Sequence, residues 1–374
     1  MKSTKKVFAV LLALATLFTL CACGGKSAPA APAATEAPAA PAADAAPAAT
    51  EAPAAPAADA APAEEPYNVT IRFAHDAQPN QSQYALYEWL GQEIEARSNG
   101  QIKVEIFGGG QLSGNNSQVT AGLLTNGDVD MAVLASVTTK RWEIYKFPYL
   151  FSTQEEVFKC EEGESGQFML KTLEEDANTH GLTYLANGFR VFSGKKPFND
   201  VKELEGQKLR IINSTTFTEF AKALKATPVS TSMGELYTAL EQGAADCQEN
   251  PISTIYKMGF HNVTPYITMT NHVWASHVLG VNLDFWNDLP DSAKKILEDC
   301  AVELAAKQRV NCEEDAAKDR ENIVNEGGTI VELTDEELAE WVKVGRSCHK
   351  NLVDLVGEDV IDIFYKDLGL TKDW

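Results

Sequence analysis

The feature that most constrains this chain is a recurring alternation of short strand and helix signals beginning at Val69. Val69-Thr70-Ile71-Arg72-Phe73 alternates apolar and polar residues as a strand does. Ser82–Ser98 carries apolar residues at helical spacing and stops at Asn99-Gly100. Ile102–Phe107 reads as a second strand, Ser117–Leu124 as a helix and Val129–Leu134 as a buried strand. Strand-helix-strand order implies a parallel sheet with right-handed crossovers. The pattern returns with strands at Leu182–Ala186 and Lys208–Ile212, helices at Thr216–Leu224 and Gly234–Gln242, and a short strand at Ala244–Asp246. Ser292 to about Asn325 is a single long amphipathic helix, and Thr334-Asp335-Glu336-Glu337 is a capping box that opens a closing helix. Two α/β units joined by one long helix predict an α/β fold of two lobes, each a mainly parallel sheet flanked by helices, with a cleft between them.

The first 66 residues belong to a different kind of polymer. Lys2, Lys5 and Lys6 precede an apolar run from Val7 to Leu20, too short for a membrane-spanning helix of roughly 20 residues. The run ends in Leu20-Cys21-Ala22-Cys23-Gly24, which resembles the lipobox of bacterial lipoproteins. That resemblance implies a signal peptide over 1–22, cleavage before Cys23 and acylation of its thiol, so that a lipid replaces the lost apolar segment as anchor. From Gly24 to Pro66 the chain is almost entirely Ala and Pro, and the 15 residues Ala31–Ala45 recur unchanged as Ala46–Ala60. Proline every few residues blocks helix propagation and alanine offers little to bury, which predicts a semi-extended tether over 23–66. At about 3.1 Å per residue such a tether reaches on the order of 130 Å.

Charge narrows the function. The whole chain carries 32 Lys+Arg against 53 Asp+Glu. Four of those cations and six of the anions precede Tyr67, leaving 28 against 47 and a net −19 on the remainder. Nucleic-acid binding and adhesion to anionic lipid both need clustered cations, so neither is expected beyond the lipid anchor itself. Five cysteines lie beyond the lipobox: Cys160, Cys247, Cys300, Cys312 and Cys348. Their number is odd and no metal spacing appears, so buried free thiols are expected. A Cys300–Cys348 or Cys160-containing bridge is the alternative. No GxSxG, P-loop, HExxH or GxGxxG is present, and no enzyme, cofactor or metal is expected. His272 and His277 alternate faces of an extended stretch, which separates them as metal ligands.

One stretch carries more. Gly206-Gln207-Lys208-Leu209-Arg210-Ile211-Ile212-Asn213 is followed by Pro228-Val229 and by an unbroken run from Met233 through Gly243 to Gln248-Glu249-Asn250-Pro251. With Gly109-Gly110-Gln111-Leu112, Gly127–Ala132, Phe147–Phe151 and Thr270-Asn271-His272, in this order and spacing, it resembles the solute-binding proteins of tripartite ATP-independent periplasmic (TRAP) transporters, of the dicarboxylate-binding type. The resemblance covers Tyr67–Trp374. It implies a periplasmic-binding-protein-like fold, with lobe I about 67–187 and 276–315, lobe II about 188–275 and 316–374, and the long helix spanning both. It also implies a small organic acid as ligand, membrane subunits of a permease as partner and work on the extracytoplasmic face of the cytoplasmic membrane. A monomer is expected.

Arg210 is the residue the resemblance places against the ligand carboxylate, and its chemistry agrees. It alternates with apolar neighbours near the C-terminal end of a strand, where open α/β sheets place ligands, and a guanidinium offers a planar fork to a carboxylate. The chain has only eight Arg beside 24 Lys. The resemblance adds Arg190 as a second cleft arginine, and Asn213 and Asn250 as polar contacts. Asn250 has an alternative role, capping a helix that starts at Pro251. Asp76, Gln78, Trp142, Met233 and Trp274 are lining residues by position, although core packing also accounts for the aromatics and Met233. Cys247 stands where the family usually has Gly, and Ala135 where sialic-acid binders have an acid, which disfavours an amino-sugar ligand. A binding protein of an ATP-driven transporter or a sensor subunit shares the same two-lobed logic, and neighbouring genes would discriminate among the three.

Overall fold

The computed structural model describes residues 66–372; the signal, Cys23 and the tether lie outside the described residues. Its frame is a single nine-stranded mixed sheet. The strands are β1 (Val69–Ala74), β2 (Ile102–Phe107), β3 (Met131–Leu134), β4 (Thr179–Gly194), β5 (Lys208–Ile211), β6 (Thr227–Ser230), β7 (Cys247–Pro251), β8 (Tyr266–Asn282) and β9 (Thr329–Val331). They run in the order β2-β1-β3-β8-β4-β7-β5-β6, with β9 alongside β8. One end, β2-β1-β3, is parallel, and so is the other, β7-β5-β6. Between them β3/β8, β8/β4 and β4/β7 pair antiparallel.

The expectation of two mainly parallel sheets is therefore refined. The parallel ends are joined by two strands of 16 and 17 residues, β4 and β8. Leu182–Ala186 is only the first part of β4, which continues beyond a register shift between Ala186 and Phe189. Gly188, at φ +92°, occupies that irregularity, in backbone territory that a side chain would strain. The strand expected at Ala244–Asp246 begins instead at Cys247. Cys247 itself takes ordinary strand geometry, pairing with Gly194 and Leu209, so the position tolerates a side chain.

Local rules account for the helices. Ser82–Arg97 buries Tyr87, Leu90, Gly91 and Ile94, a stripe spaced by three and four, and ends at Asn99 and Gly100, both at positive φ. The long helix is Asp291–Asn325, 35 residues and about 52 Å long. It packs on helix Ser82–Arg97 and β4, then on helix Ile252–Lys257 and β9. Midway, Gln308 Nε2 donates to the Ala186 carbonyl at 2.9 Å, supplying a partner where β4 and β8 shift register. The capping box at Thr334 forms as read, with Glu337 N–H donating to Thr334 Oγ1 and Thr334 N–H to the Glu337 carboxylate.

Because side chains alternate across a strand, neighbours on β4 serve different cores. Leu185 joins Ile71, Phe73, Leu90 and Leu297 beneath the first half of the long helix. Val191 joins Leu236, Leu240, Ile255 and Ile323 beneath the second half. Tyr184 and Phe192 turn the other way, into one continuous core with Phe147, Phe220, Trp341 and Phe364 that runs under both parallel ends. All five cysteines among the described residues are buried and free, and Cys300 and Cys348 form no bridge.

Candidate ligand site

A cavity of about 460 Å³ opens where the parallel strands end. Asp76 and Gln78 follow β1, Ala135 and Ser136 follow β3, Ile212 and Asn213 follow β5, and Ser232 and Met233 follow β6. These are the carboxyl ends of the strands, where backbone turns leave room for a ligand in an open α/β sheet. The crossing strands close the floor with Arg190, Trp274 and His277. All seven residues expected at the site, Asp76, Arg190, Arg210, Asn213, Met233, Asn250 and Trp274, line this one cavity, as do Gln78 and Trp142.

Arg210 is the centre of it. Set in β5 between Val229 of β6 and Gln248 of β7, its side chain is completely buried. Nε and Nη2 both donate to the Thr231 carbonyl, at 3.1 and 2.7 Å, which fixes the guanidinium plane. Nη1 has no partner. Burial lowers the guanidinium's pKa to about 10, with the Arg190 charge acting in the same sense and Glu249 against both. A buried cation with Nη1 unpartnered is a group short of an anion.

Arg190 lines the same cavity already paired with an acid. Its Nε donates to Glu249 Oε2, and its Nη2 donates to Glu249 Oε1 at 2.9 Å, to the Glu249 carbonyl at 2.7 Å and to Asn250 Oδ1 at 3.1 Å. β4 and β7 set this up: Val191 pairs with Asn250 and Phe192 with Glu249. Burial opposes ionisation of Glu249, but Arg190 and a hydrogen bond from His272 overcome it and hold the carboxyl at about 2. Since that carboxylate only accepts, His272 donates from Nε2, 3.4 Å away, and takes the Thr270 hydroxyl at Nδ1. Arg190 thus faces the cavity already neutralised, and the two arginines do not sum to a doubly positive site.

Two lining asparagines are also bonded within the protein. Asn250 lies in β7, bonded to Arg190 and, through Nδ2, to Gln248 Oε1 at 2.5 Å; helix Ile252–Lys257 makes no use of it as a cap. Asn213 is exposed at the cavity's rim, where its Nδ2 donates to Gln118 Oε1 at 3.1 Å and its carbonyl accepts from Gln118 Nε2 at 3.2 Å. Trp142 and Trp274 are buried and packed on other rings, Trp142 stacked 5.7 Å from Tyr184 and Trp274 edge-on to Phe189 at 5.0 Å. Both indole N–H groups are nevertheless buried without an acceptor. With Arg210 Nη1, cavity-lining residues hold three unpartnered donors.

Sequence reasoning missed Gln118, Glu143 and Lys146, and weighed His277 only as a metal ligand. Glu143 accepts from Lys146 Nζ at 2.6 Å, from Ser214 Oγ and from Thr216 N–H at 3.1 Å, at the N-terminus of helix Thr215–Ala223. His277, held neutral by burial with its pKa near 4, lies 3.3 Å from Asn187 Nδ2. None of the three missed residues carried a local signal.

This sheet, with a buried cation facing a cavity at the ends of its parallel strands, defines a periplasmic-binding-protein-like solute receptor. The chain belongs to the bacterial extracellular solute-binding proteins, family 7, whose model matches residues 73–354. That is a solute-binding family, not an enzyme family. A C4-dicarboxylate-binding periplasmic protein from Shewanella loihica is 28% identical over 295 residues, covering 78% of this chain and 88% of that one. The structure of a TRAP periplasmic solute-binding protein from Shewanella oneidensis with bound succinate superposes with a TM-score of 0.75 at 27% identity, covering 80% of this chain and 99% of that one. A counterpart from Ochrobactrum anthropi, with its C-terminus bound in the ligand pocket, gives 0.73 at 31% identity, covering 82% and 96%. No helix among the described residues is long and apolar enough to cross a membrane.

Proposed function

We propose that this chain is the lipid-anchored receptor of a TRAP-type transporter, binding a small organic acid by a salt bridge from its carboxylate to Arg210 and handing it to the membrane permease. The observation that carries the reading is the buried Arg210 guanidinium with Nη1 unpartnered beside the cavity. Removing water around that pair strengthens its attraction. The lobes, about 67–187 with 276–315 and about 188–275 with 316–374, hinge where β4 and β8 shift register, and the long helix bends with them. Succinate bound in the Shewanella oneidensis relative supports a small organic acid as the ligand class. Anchoring rests on the lipobox at Cys23, and Cys23→Ser should release the protein from the membrane fraction.

A thermal-shift screen against organic acids, followed by calorimetry, tests the central step, since a ligand well above its dissociation constant stabilises the fold measurably. Arg210→Ala should abolish binding of every acid found. Unchanged affinity in that variant overturns the mechanism.

A further inference from the structure

The charged groups lining the cavity do not cancel evenly. Arg190 is taken up by Glu249, and Lys146 by Glu143 at 2.6 Å. Arg210 is the cation left over; of the two lining carboxylates outside an ion pair, Glu235 is exposed and caps its own helix through Ser232, which leaves Asp76. Asp76 sits two residues beyond β1 and forms no ion pair with a described residue; its hydrogen bonds come from two hydroxyls. Ser113 Oγ donates to Oδ1 at 2.5 Å, and Thr120 Oγ1 lies 3.1 Å from Oδ1 and 3.0 Å from Oδ2. These hydroxyls fix the plane of the carboxylate without neutralising it, and Oδ2 retains room for another donor. Gln78 supplies none, because its Nε2 is engaged by Asn115 Oδ1 at 2.8 Å, the Gly109 carbonyl and the Asp76 carbonyl. The adjacent His75 is buried and neutral, its pKa near 4.

The site therefore holds complementary unmet demands. Arg210 Nη1 and the indoles of Trp142 and Trp274 are donors lacking acceptors. Asp76 is an acceptor lacking a charge partner. A solute made only of acceptor oxygens meets the first demand and sets an anion against the second. We propose, taking the Arg210 reading as given, that Asp76 is the specificity-determining acceptor of this site. The solute carries, beside the carboxylate held by Arg210, a hydroxyl or ammonium group that donates to Asp76. The receptor thus favours hydroxy and amino acids over their unsubstituted counterparts.

The test is calorimetry on the purified protein at pH 7.5 with pairs differing only in that donor: succinate against malate and aspartate, and butyrate against 4-hydroxybutyrate and 4-aminobutyrate. A hydrogen bond to a charged group corresponds to about a ten- to hundred-fold preference, so the donor-bearing member of at least one pair should bind tighter by that factor. Asp76→Ala should shrink the ratio to within about three-fold while sparing the unsubstituted partner. Asp76→Asn, which keeps the shape and the Ser113 contact, is the second variant should the alanine protein unfold. Equal or tighter binding of the unsubstituted member in every pair, a preference that survives both variants, or no binding by any of these acids overturns the inference. Arg210→Ala separates the two readings. If it abolishes binding while the ratio is untouched by Asp76 variants, only the role of Asp76 fails; if binding survives it, the Arg210 reading fails.

Discussion

Gln118 and Asn213 are locked to each other by two hydrogen bonds, side chain to side chain at 3.1 Å and side chain to carbonyl at 3.2 Å, across 95 positions of sequence. Gln118 lies on helix Ser117–Thr125, beside the β2-β1-β3 end; Asn213 follows β5, at the other. The pair bridges the rim of the cavity.

Its contribution should appear in ligand release. Each such exposed bond is worth about 0.5–1.5 kcal/mol, so Gln118→Ala and Asn213→Ala should each speed ligand dissociation a few-fold in stopped flow. The double variant should be little faster than either single one, because the two residues bond to each other. Additive rates would dissolve the latch.

Glu249 should make the fold acid-sensitive. Its folded value near 2 lies below the ordinary 4.5, so its stabilisation is complete above about pH 4.5 and is lost as pH falls toward 2. The size is on the order of 3 kcal/mol. Glu249→Gln leaves Arg190 buried with its charge uncompensated and should cost about 3–5 kcal/mol at neutral pH. Denaturant melts from pH 7 to 3 should show a flatter acid limb in that variant than in the wild type.

Glu161 should act with the opposite sign. Burial raises its carboxyl to about 7, against the Ser276 hydroxyl donating at 2.7 Å and the Arg309 charge, with Glu162 adding to the rise. The native state keeps this proton while the unfolded chain releases it near 4.5, so stability declines as pH rises from about 4.5 to 7 and then levels. Glu161→Gln keeps an acceptor for Ser276 and removes the penalty. It should match the wild type at pH 4 and exceed it by roughly 1–3 kcal/mol at pH 8. A gain independent of pH would point to packing instead.

Gly188 tests the crossover. A Cβ there would lie 3.4 Å from Cys312 Sγ and 3.8 Å from Pro251 Cβ, ordinary contact distances, so space is not the obstacle. The φ of +92° is. Gly188→Ala should cost about 1–2 kcal/mol of stability in urea melts, and a neutral result would mean the bulge has another conformation at hand.

The amino-acid sequence by itself determined the repeating β-α-β ends, the 35-residue helix, the capping box at Thr334 and the placing of Arg210 at a strand's carboxyl end. Each depends on residues within a turn or two of one another, or on the side-chain period of a single element, and those are written into local order. Only tertiary structure decided that β4 runs on past Ala186 and that Asp246 precedes β7 instead of lying in a strand. It also decided that Asn250 braces Arg190 and that Asn213 faces Gln118. The clearest case is Arg190. Read along the chain it is a cation with no visible partner; in the fold, strand pairing delivers Glu249 to it from 59 positions away. A buried charge takes its meaning from its partner, and a partner that distant is chosen by the register of a sheet, which local sequence does not encode.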